Sequence, residues 1–183
     1  MSIDVLTDEL TRCEALGIEG LVLHPGSHLC DECRMANCES RMTEGESAGI
    51  DAIALGLDEV HRRCAGFASR ILLETTAGQG TSIGWRFEHL RDILDRVAET
   101  DRLGVCLDTC HLFAAGYDFR TAEGYAAMMQ EMDRVIGVAR VRCIHMNDSK
   151  RELGSRVDRH EHIGKGKIGK SGFANFVNDP RLA

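Results

Sequence analysis

The sequence lacks the long apolar runs and the leader pattern that direct a chain into or across a membrane. No apolar stretch approaches the roughly 20 residues of a membrane-spanning helix. Residues 1–25 lack the basic-then-apolar pattern of a signal peptide. These absences predict a cytoplasmic protein that does not contact a membrane. No low-complexity linker divides the 183 residues, of which 43% are hydrophobic and 28% charged, so we expect a single domain over residues 1–183.

An excess of positive charge is also absent. The chain has 22 Lys and Arg against 29 Asp and Glu, and the net charge of −7 argues against a protein that binds nucleic acid without specificity. Residues 142–170 differ from the rest, because eight of them are basic and only four are acidic. This one segment is therefore suited to meeting phosphate groups.

Disulfides are not expected, although the chain has eight cysteines. In a cytoplasmic protein of this length, reduced thiols are the more common state. Cys30, Cys33 and Cys38 form a C-x2-C-x4-C pattern that could hold a structural zinc ion with His28 as the fourth ligand. Since no second C-x2-C follows, a surface loop with reduced thiols is the preferred interpretation.

Short apolar runs alternate with longer helical patterns along the chain, which is typical of parallel α/β structure. The predicted strands are Gly20–His24, Arg70–Glu74, Leu103–Asp108 and Arg140–His145. The predicted helices are Ile3–Leu16, Ser47–Cys64, Phe87–Ala98 and Thr121–Val138, with a further helix that begins near Phe173–Val177. The pattern therefore predicts about four βα units.

Each predicted strand runs into a side chain that can bind a metal ion. These side chains are His24, Glu74, Asp108 and His145. Since the carboxyl ends of parallel strands form the active-site face of α/β proteins, we expect the four side chains to converge. Imidazole and carboxylate together are a ligand set for zinc or manganese.

Three further residues extend this predicted metal site. His111 stands three residues after Asp108, so a turn there could aim the two side chains at neighbouring ions. Asp158 and His160 point the same way if their segment is extended. The remaining histidines, His28, His61, His89 and His162, are interpreted as structural residues.

Four stretches of sequence carry a resemblance to a known family. They are HPGSH (24–28), LETTAGQGTSIGWRFEHL (73–90), GVCLDTCHLFAAGYD (104–118) and IHMNDSKRELGSRVDRHEHIGKGKIG (144–169). Over nearly its whole length the chain resembles endonuclease IV, the zinc-dependent apurinic/apyrimidinic endonuclease family of base-excision repair. The resemblance implies a TIM barrel with three zinc ions, which cuts DNA 5′ to an abasic site by means of metal-activated hydroxide.

The resemblance also implies roles for the residues at the strand ends. Glu74 would bridge two zinc ions, one of which His24 also binds. Asp108 and His145 would hold the second of these ions. Glu74, Asp108 and His145 would accordingly be the catalytic residues.

The resemblance implies a third zinc ion and a DNA partner. His111, Asp158 and His160 would hold this ion without help from other residues. The partner would be double-stranded DNA whose abasic nucleotide the family flips out of a bent duplex, and the protein is expected to act as a monomer. The candidate DNA contacts are Gln79, Arg156, Arg159, Lys165 and Lys167.

Two features depart from the family pattern. A complete barrel takes eight βα units and about 250 residues, whereas about four units are predicted here, so we expect a partial TIM barrel of the α/β class. Strands outside this part would complete the first and second zinc sites. Residues 29–46 form a longer connection than the family usually has and are predicted to be a loop insertion.

Two alternatives to the endonuclease remain open. A sugar isomerase or epimerase of the xylose isomerase-like barrels would use similar ligands with two manganese or magnesium ions, but Asp158, His160 and the basic segment argue against it. The second alternative is a noncatalytic half-barrel with open sheet edges, which folds poorly or only with a partner.

Overall fold

The computed structural model describes residues 2–29 and 42–182, and a sheet of four parallel strands forms its centre. The strands are β1 (Gly20–Leu23), β3 (Arg70–Glu74), β5 (Leu103–Asp108) and β6 (Val141–His145), in the order β1-β3-β5-β6. The predicted parallel α/β structure is confirmed. Two strands are one residue shorter than predicted, since β1 excludes His24 and β6 excludes Arg140.

Helices alternate with these strands. They are α1 (Ile3–Leu16), α2 (Glu44–Arg63), α3 (Phe87–Arg96), α4 (Thr109–Ala115), α5 (Ala122–Val135) and α6 (Gly169–Val177). α1 has the predicted bounds because both of its ends are capped. At its start the Ser2 hydroxyl accepts a hydrogen bond from the Val5 N–H, and at its end Gly17 adopts a left-handed φ of 67°.

α2 begins earlier than the prediction placed it. It starts at Glu44 rather than Ser47 because Thr43 and Glu46 form a capping box. The N–H of Glu46 donates to Thr43 Oγ1 at 3.1 Å, and the N–H of Thr43 donates to Glu46 Oε2 at 2.9 Å. The reciprocal bonds satisfy two N–H groups that a helix start otherwise leaves unpaired.

Later helices also differ from the prediction. α3 ends two residues early because the backbone of Val97 is extended. α5 ends before Gly137, whose φ of 92° favours glycine and does not continue a helix. α4 was not predicted. It follows β5 directly and is capped by Asp108, whose carboxylate accepts a hydrogen bond from the His111 N–H at 2.9 Å.

The two faces of the sheet have different surroundings. Ile71, Leu73 and Leu107 are fully buried and belong to the hydrophobic core that the sheet forms with the helices. Side chains alternate along a strand, so Leu72 points to the opposite face. A Cβ at Gly104 would lie 2.7 Å from a methyl carbon of Leu72, so the Leu72 side chain lies against Gly104 on that face.

This opposite face borders a cavity of about 960 Å³. Val22, Leu72, Cys143 and Arg181 are among the residues that line it. In a closed eight-stranded barrel, layers of side chains from all strands fill the corresponding space. A four-stranded sheet with an open inner face is the structure expected of a partial barrel.

Short elements extend from the ends of the sheet. Two antiparallel pairs join β2 (Gly26–Ser27) to β4 (Ser82–Ile83) and β7 (Asp148–Ser149) to β8 (His160–Glu161). Three-residue 3-10 helices lie at Thr100–Arg102, Val138–Arg140 and Pro180–Leu182. Within residues 2–29 and 42–182, none of the helices has the length and apolar character that crossing a bilayer demands.

Candidate metal centre

The ligand-type residues predicted at the four strand ends lie together. Glu74, Asp108 and His145 are the last residues of β3, β5 and β6, and His24 follows β1 directly. Asp108 is paired with His145 in the sheet register, which brings these two strand ends level. Glu74 Oε2 lies 3.1 Å from His24 Nε2, and Glu74 Oε1 lies 2.8 Å from His145 Nδ1.

Glu74 is the centre of this arrangement and is only 6% exposed. Burial acts to raise the pKa of its carboxyl group, but the hydrogen bonds with His24 and His145 outweigh burial and the pKa is lowered. The hydrogen bond with Glu74 raises the pKa of His24 in turn. Glu74 is therefore ionised at neutral pH, which is the form that binds a metal ion.

A second cluster of ligand-type side chains lies beside the first. His111 Nε2 is 3.1 Å from Asp158 Oδ2, and His160 Nε2 is 3.1 Å from Asp158 Oδ1. The two Nε2 atoms are 3.3 Å apart. His111 also connects the clusters, since its Nδ1 lies 3.6 Å from Glu74 Oε1.

Hydrogen bonds with neighbouring residues orient these ligands. The Thr75 carbonyl oxygen is 2.8 Å from His111 Nδ1, and the Thr75 hydroxyl accepts a hydrogen bond from the Asp108 N–H at 2.9 Å. The Asn147 side-chain amide donates to Asp108 Oδ2 at 2.6 Å. With Nδ1 engaged, His111 presents Nε2 to Asp158. Neither Thr75 nor Asn147 was predicted as a site residue, although both stand within two residues of a strand end.

Among the described residues, three overlapping groups of side chains could hold metal ions. The groups are His24, Glu74 and His111; Glu74, Asp108 and His145; and His111, Asp158 and His160. In each group the ligand atoms all lie within 4.8 Å of one another. Imidazole nitrogens and carboxylate oxygens form the donor set that zinc accepts, so the residues fit a metal ion in both chemistry and spacing.

The first group differs from the sequence expectation, because His111 joins His24 and Glu74. Its ring lies 5.2 Å from the ring of His24, measured between centroids. In the sequence analysis His111 belonged to the third zinc ion alone. The structure places it between the first and third groups, within reach of both.

Thiols near the centre are less suited to metal binding. Two further groups with close ligand atoms are Cys106, Cys143 and His145, and Asp108, Cys110 and His160. Burial raises the pKa of Cys106, and it raises the pKa of Cys110 to about 11. Since the thiolate is the form that binds metal, each of these two thiols must first lose its proton, which makes metal binding at neutral pH less favourable.

The predicted cysteine cluster lies outside the described residues. Cys30, Cys33 and Cys38 fall between residues 29 and 42, as does most of the predicted insertion over 29–46. The four histidines interpreted as structural, His28, His61, His89 and His162, belong to none of the metal groups found among the described residues.

Three candidate DNA contacts lie next to Asp158. Gln79 is exposed, and its Oε1 accepts a hydrogen bond from the Asp158 N–H at 3.1 Å. Arg159 is exposed and donates from Nη1 to the Asp158 carbonyl oxygen at 2.6 Å. The guanidinium carbon of Arg156 lies 3.4 Å from the ring centroid of Trp85.

The other two candidates, Lys165 and Lys167, are exposed on a turn that a buried carboxylate holds in place. Asp148 is fully buried. Its carboxylate accepts hydrogen bonds at 2.9–3.0 Å from the backbone N–H groups of Gly164, Gly166 and Ile168. Lys167 Nζ also pairs with Glu152 at 2.7 Å. The basic turn is thereby fixed relative to β7.

The parallel βα units and the ligands at their carboxyl ends define a TIM-barrel protein with a candidate metal centre. The model of the xylose isomerase-like TIM barrel family matches residues 1–182, and the chain belongs to this family. A curated relative named probable endonuclease 4, from Geotalea daltonii, is 47% identical over 182 residues. The protein of the same name from Chloroflexus aggregans is 49% identical over 182 residues. Each alignment covers 100% of this chain and 59% of the relative, so the chain spans 59% of their length.

Solved structures agree with this assignment. Endonuclease IV from Thermus thermophilus matches with a TM-score of 0.77 at 38% identity, over 98% of this chain and 57% of that one. A D-tagatose 3-epimerase-like protein matches with a TM-score of 0.66 at 21% identity, over 98% and 55% of the two chains, and this likeness shows the fold alone. The predicted resemblance and the partial barrel are both confirmed.

Proposed function

We propose that this chain is part of a zinc-dependent endonuclease that cleaves the DNA phosphodiester bond 5′ to apurinic/apyrimidinic sites in base-excision repair. The observation that carries the proposal is the overlap of three ligand groups at Glu74 and His111, in a chain 47% identical to a probable endonuclease 4. Adjacent metal sites suit an in-line displacement at phosphorus, because both the attacking and the leaving oxygen need charge stabilisation.

Each group would hold one zinc ion. Glu74 would contribute to two of these sites, to one together with His24 and His111 and to the other together with Asp108 and His145. The third ion would be held by His111, Asp158 and His160. When bound, zinc activates water near neutral pH and neutralises the negative charge of a phosphodiester.

The chain's own residues keep charges and ring orientations in place for this reaction. The imidazoles of His24 and His145 keep Glu74 ionised. Asp108 is fully buried, and its two oxygens accept hydrogen bonds from the His111 N–H and the Asn147 amide, so its carboxylate cannot turn away. We assign Glu74, Asp108 and His145 as the catalytic residues, because they share one group.

The exposed basic turn and the neighbouring loops would meet the DNA backbone. The proposed contacts are Gln79, Arg156, Arg159, Lys165 and Lys167. Positive side chains at this edge of a chain with a net charge of −7 would attract phosphate to the metal centre rather than to the rest of the surface. The substrate would be double-stranded DNA with an abasic nucleotide, which leaves the helical stack at low cost. The protein would act as a monomer in the cytoplasm.

The proposal is tested with a labelled duplex that contains one abasic nucleotide. The zinc-loaded full-length endonuclease that contains this chain is expected to nick the strand on its 5′ side and to leave a 3′-hydroxyl that a polymerase can extend. Glu74→Gln removes the bridging charge and is expected to abolish nicking without loss of helical circular dichroism. The matched control is Glu123→Gln, which changes an exposed glutamate on α5 and is expected to nick at the wild-type rate.

The other outcomes separate the alternatives. A folded, zinc-loaded full-length protein that leaves the abasic strand intact would contradict the proposal. Retention of manganese or magnesium together with turnover of a sugar would favour the isomerase or epimerase. A chain that melts without a cooperative transition and retains no metal would favour the noncatalytic half-barrel. Wild-type nicking by Glu74→Gln would remove the bridging role from Glu74.

A further inference from the structure

Trp85, the one tryptophan in the chain, contacts two arginine side chains at the edge of the metal centre. The guanidinium carbons of Arg156 and Arg86 lie 3.4 Å and 4.1 Å from its ring centroid. A cation within about 6 Å of a tryptophan centroid is attracted by the π electrons of the ring. The contact with Arg156 joins the start of α3 to the segment that precedes β8.

The backbone at Arg156 is held in an uncommon conformation. Among the described residues, Arg156 alone combines a side chain with a positive φ, at 53°. This conformation is unfavourable for a residue with a Cβ and persists where surrounding contacts hold it. The Arg156 N–H donates to the Ala114 carbonyl oxygen at 2.9 Å, and the Gly154 N–H donates to that of Phe113 at 3.1 Å. Both bonds tie the turn to α4.

The loop after β3 packs against the stack that Trp85 and Arg156 form. Gly78 has a φ of 74°, and a Cβ there would lie 2.9 Å from Trp85 Cγ and 3.1 Å from Arg156 Cδ. The next residue, Gln79, accepts the hydrogen bond from the Asp158 N–H. Residues 78–85 and Arg156, which are distant in sequence, therefore pack together immediately before Asp158.

The packed segments adjoin the third metal group, which consists of His111, Asp158 and His160. Asp158 follows Arg156 by two residues, and its carboxylate contacts His111 and His160. His111 lies on α4, the helix to which the Arg156 turn is hydrogen-bonded. The stack therefore lies between α4 and the segment that carries Asp158, although neither stacked side chain is in the metal group.

We infer that Trp85 and Arg156 are positioning residues that hold Asp158 and His160 against His111. The inference rests on the proposed function in one respect, namely that this group binds zinc. Ligands already in place lose less conformational freedom when the ion arrives, which strengthens binding. Loss of residues that orient metal ligands typically weakens metal affinity by about 10- to 100-fold.

The inference is tested by zinc binding to the metal-free 183-residue chain in zinc-buffered solutions, with bound metal counted by elemental mass spectrometry. Arg156→Ala and Trp85→Ala are each expected to weaken one class of bound zinc by about tenfold and to leave the remainder unchanged. Trp85→Phe keeps an aromatic face and is expected to retain wild-type affinity. The matched control is Arg151→Ala, which removes an exposed arginine from the same segment and is expected to bind zinc as the wild type does.

Two further measurements report on the contact between Trp85 and Arg156 itself. In the metal-free chain, peptides that cover residues 156–160 are expected to exchange amide hydrogens faster in Arg156→Ala, while peptides from α6 exchange at the wild-type rate. Trp85 also reports by fluorescence, since the chain has one tryptophan. Zinc is expected to shift its emission in the wild type and to have little effect in Arg156→Ala.

Equal zinc affinity and equal exchange in Arg156→Ala and the wild type would overturn the inference while the proposed function stands. The same loss of zinc in Arg151→Ala would also overturn it. A folded wild-type chain that binds no zinc would instead contradict the proposed function, and the exchange comparison would still decide whether the stack holds the segment. DNA is absent from every measurement, so a phosphate contact of Arg156 does not affect the result.

Discussion

The hydroxyl of Thr75 accepts a hydrogen bond from the backbone N–H of Asp108, at 2.9 Å, and connects the loop after β3 to the end of β5. Both residues are buried. The carbonyl oxygen of the same threonine faces His111 Nδ1. A residue with no place in any metal group therefore orients members of all three.

Thr75→Val tests this connection, because valine keeps the shape of threonine and removes the acceptor. The Asp108 N–H is then buried without a partner, which is expected to lower the free energy of unfolding of the metal-free chain by about 1–3 kcal/mol. Urea denaturation measures the change. Thr11→Val, on the exposed side of α1, is the control and is expected to stay within about 0.5 kcal/mol of the wild type. Equal stability of the two variants would show that the bond contributes nothing.

The contact between His24 and Glu74 predicts a pH dependence for the metal-free chain. It raises the pKa of His24 above its ordinary 6.5, so stabilisation by His24 is complete below pH 6.5 and is lost as the pH rises through the raised value. Burial and the two imidazole contacts leave the pKa of Glu74 below its ordinary 4.5, so its contribution is complete above pH 4.5 and is lost as the pH falls through the lowered value.

The pair therefore stabilises the chain fully between pH 4.5 and 6.5. His24→Gln is expected to lower the urea midpoint at about pH 5.5 and to have little effect at about pH 8.5. His162→Gln, which changes an exposed histidine outside the metal groups, serves as the control. A His24→Gln effect of the same size at both pH values would show that the protonated pair does not stabilise the fold.

The metal ligands at the strand ends could be predicted, because the carboxyl ends of parallel strands lie at one edge of the sheet. A ligand-type residue at the end of each strand therefore lies near the others, as Glu74 lies beside His145. The early start of α2 was also visible in the sequence as Thr43 and Glu46 at capping-box spacing. The stack of Arg156 on Trp85 carried no such signal. It joins segments distant in sequence, and their meeting depends on tertiary packing rather than on local periodicity.

The orientation of His160 in the site likewise depends on tertiary contacts that local sequence patterns do not reveal. Its spacing from Asp158 predicted a common direction only if the segment was extended, and the structure supplies the reason through pairing of His160 with Ser149 in the β7–β8 ladder. His111 belongs to the first group as well because it lies in the first turn of α4, the helix that Asp108 caps. Neither contact has a periodic pattern in the sequence.

Asp148→Ala is expected to destabilise the chain strongly, because the buried carboxylate accepts hydrogen bonds from three backbone N–H groups of the basic turn. Leaving these donors unpaired is expected to cost roughly 3 kcal/mol or more in the free energy of unfolding. Urea denaturation gives the value, with Asp101→Ala as an exposed control expected to remain within about 0.5 kcal/mol of the wild type. If Asp148→Ala lowers the free energy of unfolding by less than the contribution of one buried hydrogen bond, Asp148 does not hold the basic turn in place.

Lys165 predicts a change in the salt dependence of DNA binding. Each phosphate that a lysine neutralises adds about 0.9 to the slope of log affinity against log salt concentration, so Lys165→Ala is expected to reduce the slope by about that amount. Fluorescence anisotropy with a labelled abasic duplex measures the slope, in a Glu74→Gln background that leaves the strand intact. Arg134→Ala, on the exposed side of α5, removes the same charge away from the basic turn. If Arg134→Ala and Lys165→Ala have equal slopes, Lys165 does not contact phosphate.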